Sequence, residues 1–447
     1  MTHDAIDGCP THGHAATHDP AAGPPDGPAT GPTRDTINRH AASYARKSAR
    51  PDDCATPAVE FDGERWQLRS HDAVRQVLRA TTSTTQAGFN AEMVTGTDRL
   101  RQRPVLFQDG EAHRRQRKAI ARYFAPVTVT ANYRDIMATR ADELVAEMVS
   151  AGRADLAKVT MRYSVSIAAQ VVGLTNSDPN AMARRLDAFF AMPPAAPSDG
   201  TGRFGRIVDY VRSLRSVPPM LSFRRHDVMP AIEARRAQPR QDVISHLIEQ
   251  GYSEDEILIE CVTYGAAGMV TTREFISMAT WHLLDDQAAR ERYLAGDEAH
   301  RLRILEEILR LEPIVSHLLR RAVEPITITM QPGTGGQETY TIPAGALIDL
   351  HIRMANADER AVGADPLALC PQRELAKGVR PEAMSFGDGP HRCPGNVIAM
   401  QESDVFLQRL LRLPVRLASQ PRLEWEELIK AYAVRDIILQ IDAAAPA

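Results

Sequence analysis

The sequence predicts a mainly α-helical fold with small β-sheets, on three observations. Amphipathic runs at helical spacing follow one another over residues 131–152, 160–174, 180–192, 206–216 and 223–237, with a Pro/Gly/Ser-rich break at 193–202. A further run starts at Ser253 and continues without proline to about residue 285, which at about 1.5 Å per residue can cross a whole domain. The β-like runs are short by comparison: 326–330, 339–342 and 347–352, the first two separated by Pro-Gly-Thr-Gly-Gly, read together as one small sheet.

With 447 residues the chain exceeds what one simple core usually fills. Residues 1–35 are rich in Gly, Pro, Ala, Thr and His without periodicity and read as a disordered tail, leaving 36–447 as a single large domain. A net charge of −4, with 25% charged residues, gives no global pull toward nucleic acid. Cys9, Cys54, Cys261, Cys370 and Cys393 are few, odd in number and without C-x-x-C spacing. That usage fits a reducing, cytoplasmic setting and argues against a zinc site. No run of about eighteen apolar residues and no basic-then-apolar leader occurs, so a membrane anchor is not expected.

Along the chain, a short helix is expected over 36–47, then a hairpin over 58–68 turning at Asp62-Gly63, then a helix over 70–79 capped by Ser70. From 80 to 108 the pattern breaks up, and so long a stretch inside a domain is usually functional or mobile. In the helical run 109–126, His113 and Arg117 stand four apart, on one face that suits an anionic partner. Arg114, Arg115 and Lys118 then point outward, either as a solvated face or as a dock for an acidic partner protein. Ser253 and Glu256 have capping-box spacing at the start of the long run. Midway, Tyr264-Gly-Ala-Ala-Gly268-Met-Val-Thr271-Thr272 is poor helix chemistry. Approach by a flat ligand, a local kink, or close packing on another helix would each account for it.

The stretch that concentrates chemistry is Phe386-Gly-Asp-Gly-Pro-His-Arg-Cys393-Pro-Gly395, a shaped turn followed at once by a helical run. A thiolate placed before a helix N-terminus gains from the dipole and from free N–H donors, which lowers its pKa. It can serve as nucleophile or metal ligand; the alternative is an inert buried cysteine. Pro394 has no N–H, so one donor to the sulfur is missing and the sulfur is expected to be electron-rich.

This spacing resembles the haem-ligand loop of the cytochrome P-450 family, F-x-x-G-x-[HR]-x-C-x-G, with Phe386, Gly389, His391, Cys393 and Gly395 filling every fixed position. The resemblance implies that family's fold, with a long central helix over a haem b held by the C-terminal cysteine loop, and Cys393 as the axial thiolate. It implies propionate contacts from His113, Arg117, Arg320 and His391, with Phe386 and Gly395 shaping the cofactor loop. The helix motif A-G-x-[DE]-T is matched by Ala267, Gly268 and Thr271, but its acid position holds Val270, so Thr271, Thr272 or ordered water would have to compensate. Glu307 and Arg310, with Arg373 from Asp365-Pro-Leu-Ala-Leu-Cys-Pro-Gln-Arg373, resemble the family's bracing E-x-x-R network. Phe89, Met93, Val94, Tyr264, Ala267, Val270, Val315 and His317 are the substrate-pocket candidates that follow.

The function this implies is a bacterial monooxygenase that inserts one atom of dioxygen into a small organic, secondary-metabolite substrate. Electrons would come from NAD(P)H through a ferredoxin-type partner, and the chain is expected to be a monomer without nucleic-acid or membrane partners. Val270 keeps open a peroxide-driven or oxidative-coupling reaction on the same fold. A non-catalytic haem sensor and a non-haem thiol enzyme using Cys393 with His391 are the remaining alternatives.

Overall fold

The computed structural model describes residues 46–50, 53–89, 91, 101–190, 218–331, 337–426 and 430–442. The expected tail over 1–35, the break at 193–202, the helix at 206–216, most of the 36–47 helix, and Met93 and Val94 lie outside the described residues.

Local chemistry sets the first boundaries. Strands β1 (Val59–Phe61) and β2 (Trp66–Leu68) form the expected hairpin, with Gly63 at φ +100° in its turn. Ser70 then accepts from the Ala73 N–H and opens α1 (His71–Arg79). The irregular stretch that follows holds β3 (Thr84–Gln86). Next come α2 (Gly110–Phe124), α3 (Pro126–Asn132) and α4 (Arg134–Ala151), then β4 (Arg153–Asp155) and α5 (Leu156–Val172). Gly173 ends α5 at φ +102°, where a Cβ would stand 2.7 Å from the Asp242 carboxyl carbon, so glycine is required twice over. Helices α6 (Pro179–Phe190), α7 (Met229–Ala237) and α8 (Val243–Glu249) complete this half; α8 has no counterpart in the sequence expectation.

The long run is a helix in two halves, α9 (Glu254–Gly265) and α10 (Thr271–Asp285), joined by a π-helical turn over Ala266–Val270. Its start carries both bonds of the Ser253–Glu256 capping box. The glycine- and threonine-rich centre thus marks a wider turn within a continuing helix. Helices α11 (Gln287–Ala295) and α12 (Glu298–Leu311) follow.

The sheet expectation needs correction. β6 (Ile326–Met330) and β7 (Glu338–Ile342) pair only with each other among the described strands. β8 (Leu347–His351) instead lies between β2 and a strand that the sequence reading lacked, β5 (His317–Ala322), in a five-stranded sheet of order β1-β2-β8-β5-β3. The reason is connectivity: β2 pairs parallel to β8 although the partners Trp66 and Ile348 are 282 residues apart, a contact with no local signal.

After short helices α13 (Ile352–Ala355) and α14 (Glu359–Val362) come the cysteine loop and α15 (Asn396–Leu411). β9 (Val415–Leu417) and β12 (Ile438–Ile441) join β4, and β10 (Arg422–Glu426) pairs with β11 (Ala431–Arg435). One apolar core binds the helices, with Leu144, Met161, Phe275, Ile308 and Phe406 among its fully or nearly fully buried members. A second, holding Val74, Leu78, Ile348 and Leu350, sits where α1 meets the sheets. Each such side chain contributes about 1.5–3 kcal/mol of burial. The cysteine loop lies where α15 enters the first core and α1 the second.

Candidate functional site

Glycine geometry fixes the loop that carries the sulfur. Gly387 and Gly389 have φ of +69° and +65°, and a Cβ on Gly389 would sit 2.5 Å from the Leu78 carbonyl oxygen of α1. The Cys393 N–H donates to the Phe386 carbonyl at 2.8 Å, closing the turn three residues before α15 begins. Burial pushes the Cys393 thiol above its ordinary range; the Gly395 and Asn396 N–H groups and the Arg117 and Arg392 cations act in the opposite direction. The expected lowering therefore does not occur in the protein alone, because burial outweighs the helix terminus. A cation bound at the sulfur would reverse that balance. Pro394 does not leave the sulfur without donors either, since the next two residues supply them.

Around this sulfur the structure gathers the expected donors. His113 and His391 stack with ring centroids 3.9 Å apart and planes 15° from parallel. His391 Nε2 lies 3.2 Å from the Asp109 carboxylate, and Arg117 donates to the Arg392 carbonyl of the loop. Burial, then the neighbouring His391 and Arg117, lowers His113 to about 4, so it is neutral. Arg320 is 5% exposed; burial lowers its pKa to about 10, with Asp109 opposing. Burial also resists ionisation of Asp109, yet hydrogen bonds from His391 and Thr85 outweigh it and hold the carboxyl below its usual range. Two residues absent from the sequence reading belong here: Asp109, and Gln86 of β3, which accepts from Arg320 and whose buried Nε2 has no partner among the described residues. Arg392 Nε is likewise buried without a described partner. A cationic, donor-rich cradle with surplus N–H groups fits the two carboxylates of a haem.

The long helix passes the same site. Tyr264 packs on Phe124 with centroids 6.3 Å apart, and its buried hydroxyl has no described partner. Ala267 is exposed, Val270 is buried, and Thr271 Oγ1 donates back to the Ala267 carbonyl at 2.5 Å. A Cβ on Gly268 would meet only Ala168 of α5, at an ordinary contact distance of 3.6 Å, so packing on α5 does not by itself require glycine there. Glu274, three residues past Thr271, is occupied by Arg273, Arg435 and the Val434 N–H and is not a spare acid. Instead Thr272 hydrogen-bonds Glu402 of α15, a carboxyl that burial holds well above its usual range and whose Oε2 has no described partner. Sequence reasoning missed Glu402 because it stands in the polar stretch Gln401-Glu-Ser-Asp404, which on sequence alone reads as an ordinary solvated face.

The bracing network is present as geometry. Glu307 takes Arg310 through two bonds of 2.7 and 2.8 Å and Arg373 Nε at 3.2 Å. Asn356 carries it to the loop, donating to the Arg310 carbonyl at 3.0 Å and to Ser385 Oγ at 2.8 Å. Of the pocket candidates, Phe89 is half-buried with φ +57°, and Val315 packs on the main core. His317 does not stand free for a substrate: its Nδ1 is 2.8 Å from the Asp349 carboxylate.

The comparisons agree with this geometry. Residues 303–413 match the family model described as Cytochrome P450. The chain is 28% identical to cytochrome P450 130 of Mycobacterium tuberculosis over 72% of this chain and 74% of that protein. It is 24% identical to erythromycin C-12 hydroxylase of Saccharopolyspora erythraea over 77% and 81%. Its fold is similar to that of OxyD, a protein involved in the biosynthesis of vancomycin-type antibiotics, with a TM-score of 0.66 at 20% identity, covering 85% of this chain and 90% of that one.

Proposed function

The chain belongs to the cytochrome P-450 family of oxidoreductases, and from that premise we propose that it is a haem-thiolate monooxygenase acting on a small secondary metabolite. One observation carries the reading: a half-buried cysteine, its sulfur met by two backbone N–H groups at a helix start, lies beside a donor-rich cradle with N–H groups to spare.

Cys393 would hold the iron of haem b, and His113, Arg117, Arg320, His391 and Gln86 would hold its carboxylates. The bound haem would supply dioxygen activation, with electrons from NAD(P)H through a ferredoxin-type partner. Thr271 and Tyr264 present hydroxyls on the helix that crosses the site. Burial raises the Glu402 carboxyl well above its usual range and so favours a proton held beside that helix, next to Thr272, where Val270 offers no group to hold one. The likenesses to erythromycin C-12 hydroxylase and OxyD support a complex natural product as substrate. No helix among the described residues is long and apolar enough to cross a membrane, which suits a cytoplasmic monomer drawing on NAD(P)H.

The test is a carbon monoxide difference spectrum of the reduced protein, expected to show the thiolate-type Soret band, and its loss in Cys393→Ala. A protein that carries no porphyrin overturns the reading. Val270 favours a second reaction on the same fold, peroxide-driven or coupling. Equal turnover with peroxide alone and with the reductase system would select it.

A further inference from the structure

On the face of the five-stranded sheet, three metal-capable side chains meet that the haem reading does not use. Asp349 and His351 stand two apart on β8 and so share a face, and His317 on β5 is the direct cross-strand partner of His351. The two rings lie 4.4 Å apart, and the three residues offer one ligand atom each within 4.8 Å of one another.

Hydrogen bonds prepare the set. Gln67 on the neighbouring strand β2 gives its Nε2 to Asp62 at 2.6 Å, which turns its Oε1 toward His351 Nε2. His351 Nε2 therefore carries the proton, and its Nδ1 is a lone pair. That Nδ1 has no hydrogen-bond partner among the described residues, although the side chain belongs to a residue only 8% exposed. An imidazole whose second nitrogen is tied to a carbonyl, with the first left basic, is the usual arrangement of a metal-ligating histidine. Asp349 receives His317 Nδ1 at 2.8 Å, and Arg65 stands 3.7 Å from its other oxygen.

We propose that His317, Asp349 and His351 form a binding site for a divalent transition ion, zinc above all, clamping β5 to β8. Two imidazoles and one carboxylate are a common zinc donor set, with a fourth position left for water. Tetrahedral ligands stand about 3.3 Å apart, so the set closes by side-chain rotation on strands already in register. Entry of the ion takes the Nδ1 lone pair of neutral His317, whose single proton moves through solvent from Nδ1 to Nε2, while the Asp349 carboxylate turns from that proton to the ion. The site is independent of the haem reading. Cysteine spacing gave no hint of it because its ligands come from strands 32 and 34 residues apart.

The test uses full-length, chelator-treated protein, dialysed against zinc and assayed for zinc and iron together. The background carries His3, His12, His14 and His18 all replaced by alanine, which removes the competing histidines of the N-terminal segment. One zinc per chain is expected to remain on that background. His317→Ala and His351→Ala should each weaken it at least tenfold, and Gln67→Ala about 10- to 100-fold. An unchanged iron-to-protein ratio reports folding; should His351→Ala fail it, the half-buried His317→Ala decides. Zinc that leaves with the four N-terminal histidines, or that stays when His317 is gone, overturns the proposal.

Discussion

Glu260 and Glu402 are both buried carboxyls with an oxygen that has no described partner, yet their surroundings give them different duties. Glu260 accepts from Gln116 Nε2 at 2.8 Å and from the Val105 N–H at 3.1 Å, tying α9 to the segment ahead of α2. Burial raises it to about 7, against 4.5 for the ordinary group. The folded state thus holds a proton that the unfolded chain gives up between those values, so this contribution is full below about 4.5 and is lost as pH rises through about 7. Glu260→Gln keeps both acceptor bonds without the charge. Its thermal midpoint should match the parent at pH 5 and exceed it at pH 8, by up to about 3 kcal/mol of stability. A parent that is equally stable at both pH values relative to the variant contradicts the assignment. For Glu402, the Gln variant should keep the carbon monoxide band while product formed per NAD(P)H falls about tenfold or more, with the electrons diverted to peroxide. Full coupling in Glu402→Gln would leave it a structural group. Neither acid was legible in the sequence, since what marks them is the burial created by helices far away in the chain.

At the scale of elements, the pieces with strong local signals are the ones the sequence places well. Ser70, the Ser253–Glu256 box and the Asp62-Gly63 turn all start or reverse the chain where side-chain chemistry says they should. The sequence reading had no strand at β5 and joined β8 to the wrong neighbours, β6 and β7, because strand partnership leaves no local trace, and with that the company of His317 was missed. The cysteine loop is braced the same way, through contacts distant in sequence: Glu307 holds Arg310 and Arg373, and Asn356 ties that group to Ser385. Glu307→Ala leaves two buried arginines without their carboxylate. It should cost about 3–5 kcal/mol and reduce the haem-bound fraction recovered at 37 °C, whereas Glu307→Gln loses less. Equal recovery of the alanine variant and the parent would remove the network's bracing role.

Over the whole molecule, the site's inward donors and the surface cations of α2 share one helix. His113 and Arg117 turn inward, while Arg114, Arg115 and Lys118 are exposed, with Arg114 paired to Glu111 at 2.8 Å. The double variant Arg115→Glu, Lys118→Glu is expected to raise the KM for ferredoxin about tenfold at low salt with kcat kept, a difference that fades above about 0.5 M salt. An unchanged KM moves the dock elsewhere. The cysteine turn and the inward face of His113 and Arg117 were readable from spacing alone, because a glycine-shaped turn and an i,i+4 pair are local patterns.

The π-helical turn over Ala266–Val270 adds one residue to a circuit of the long helix. Everything after it is therefore out of phase with everything before it by about 100°, the angle one residue subtends. A helical wheel drawn through the whole of 254–285 would assign the second half to the wrong sides. Removing any one residue of that turn would swing Thr272 off Glu402 and Glu274 off Arg435 together, so a single deletion there acts as a rotation of half a helix.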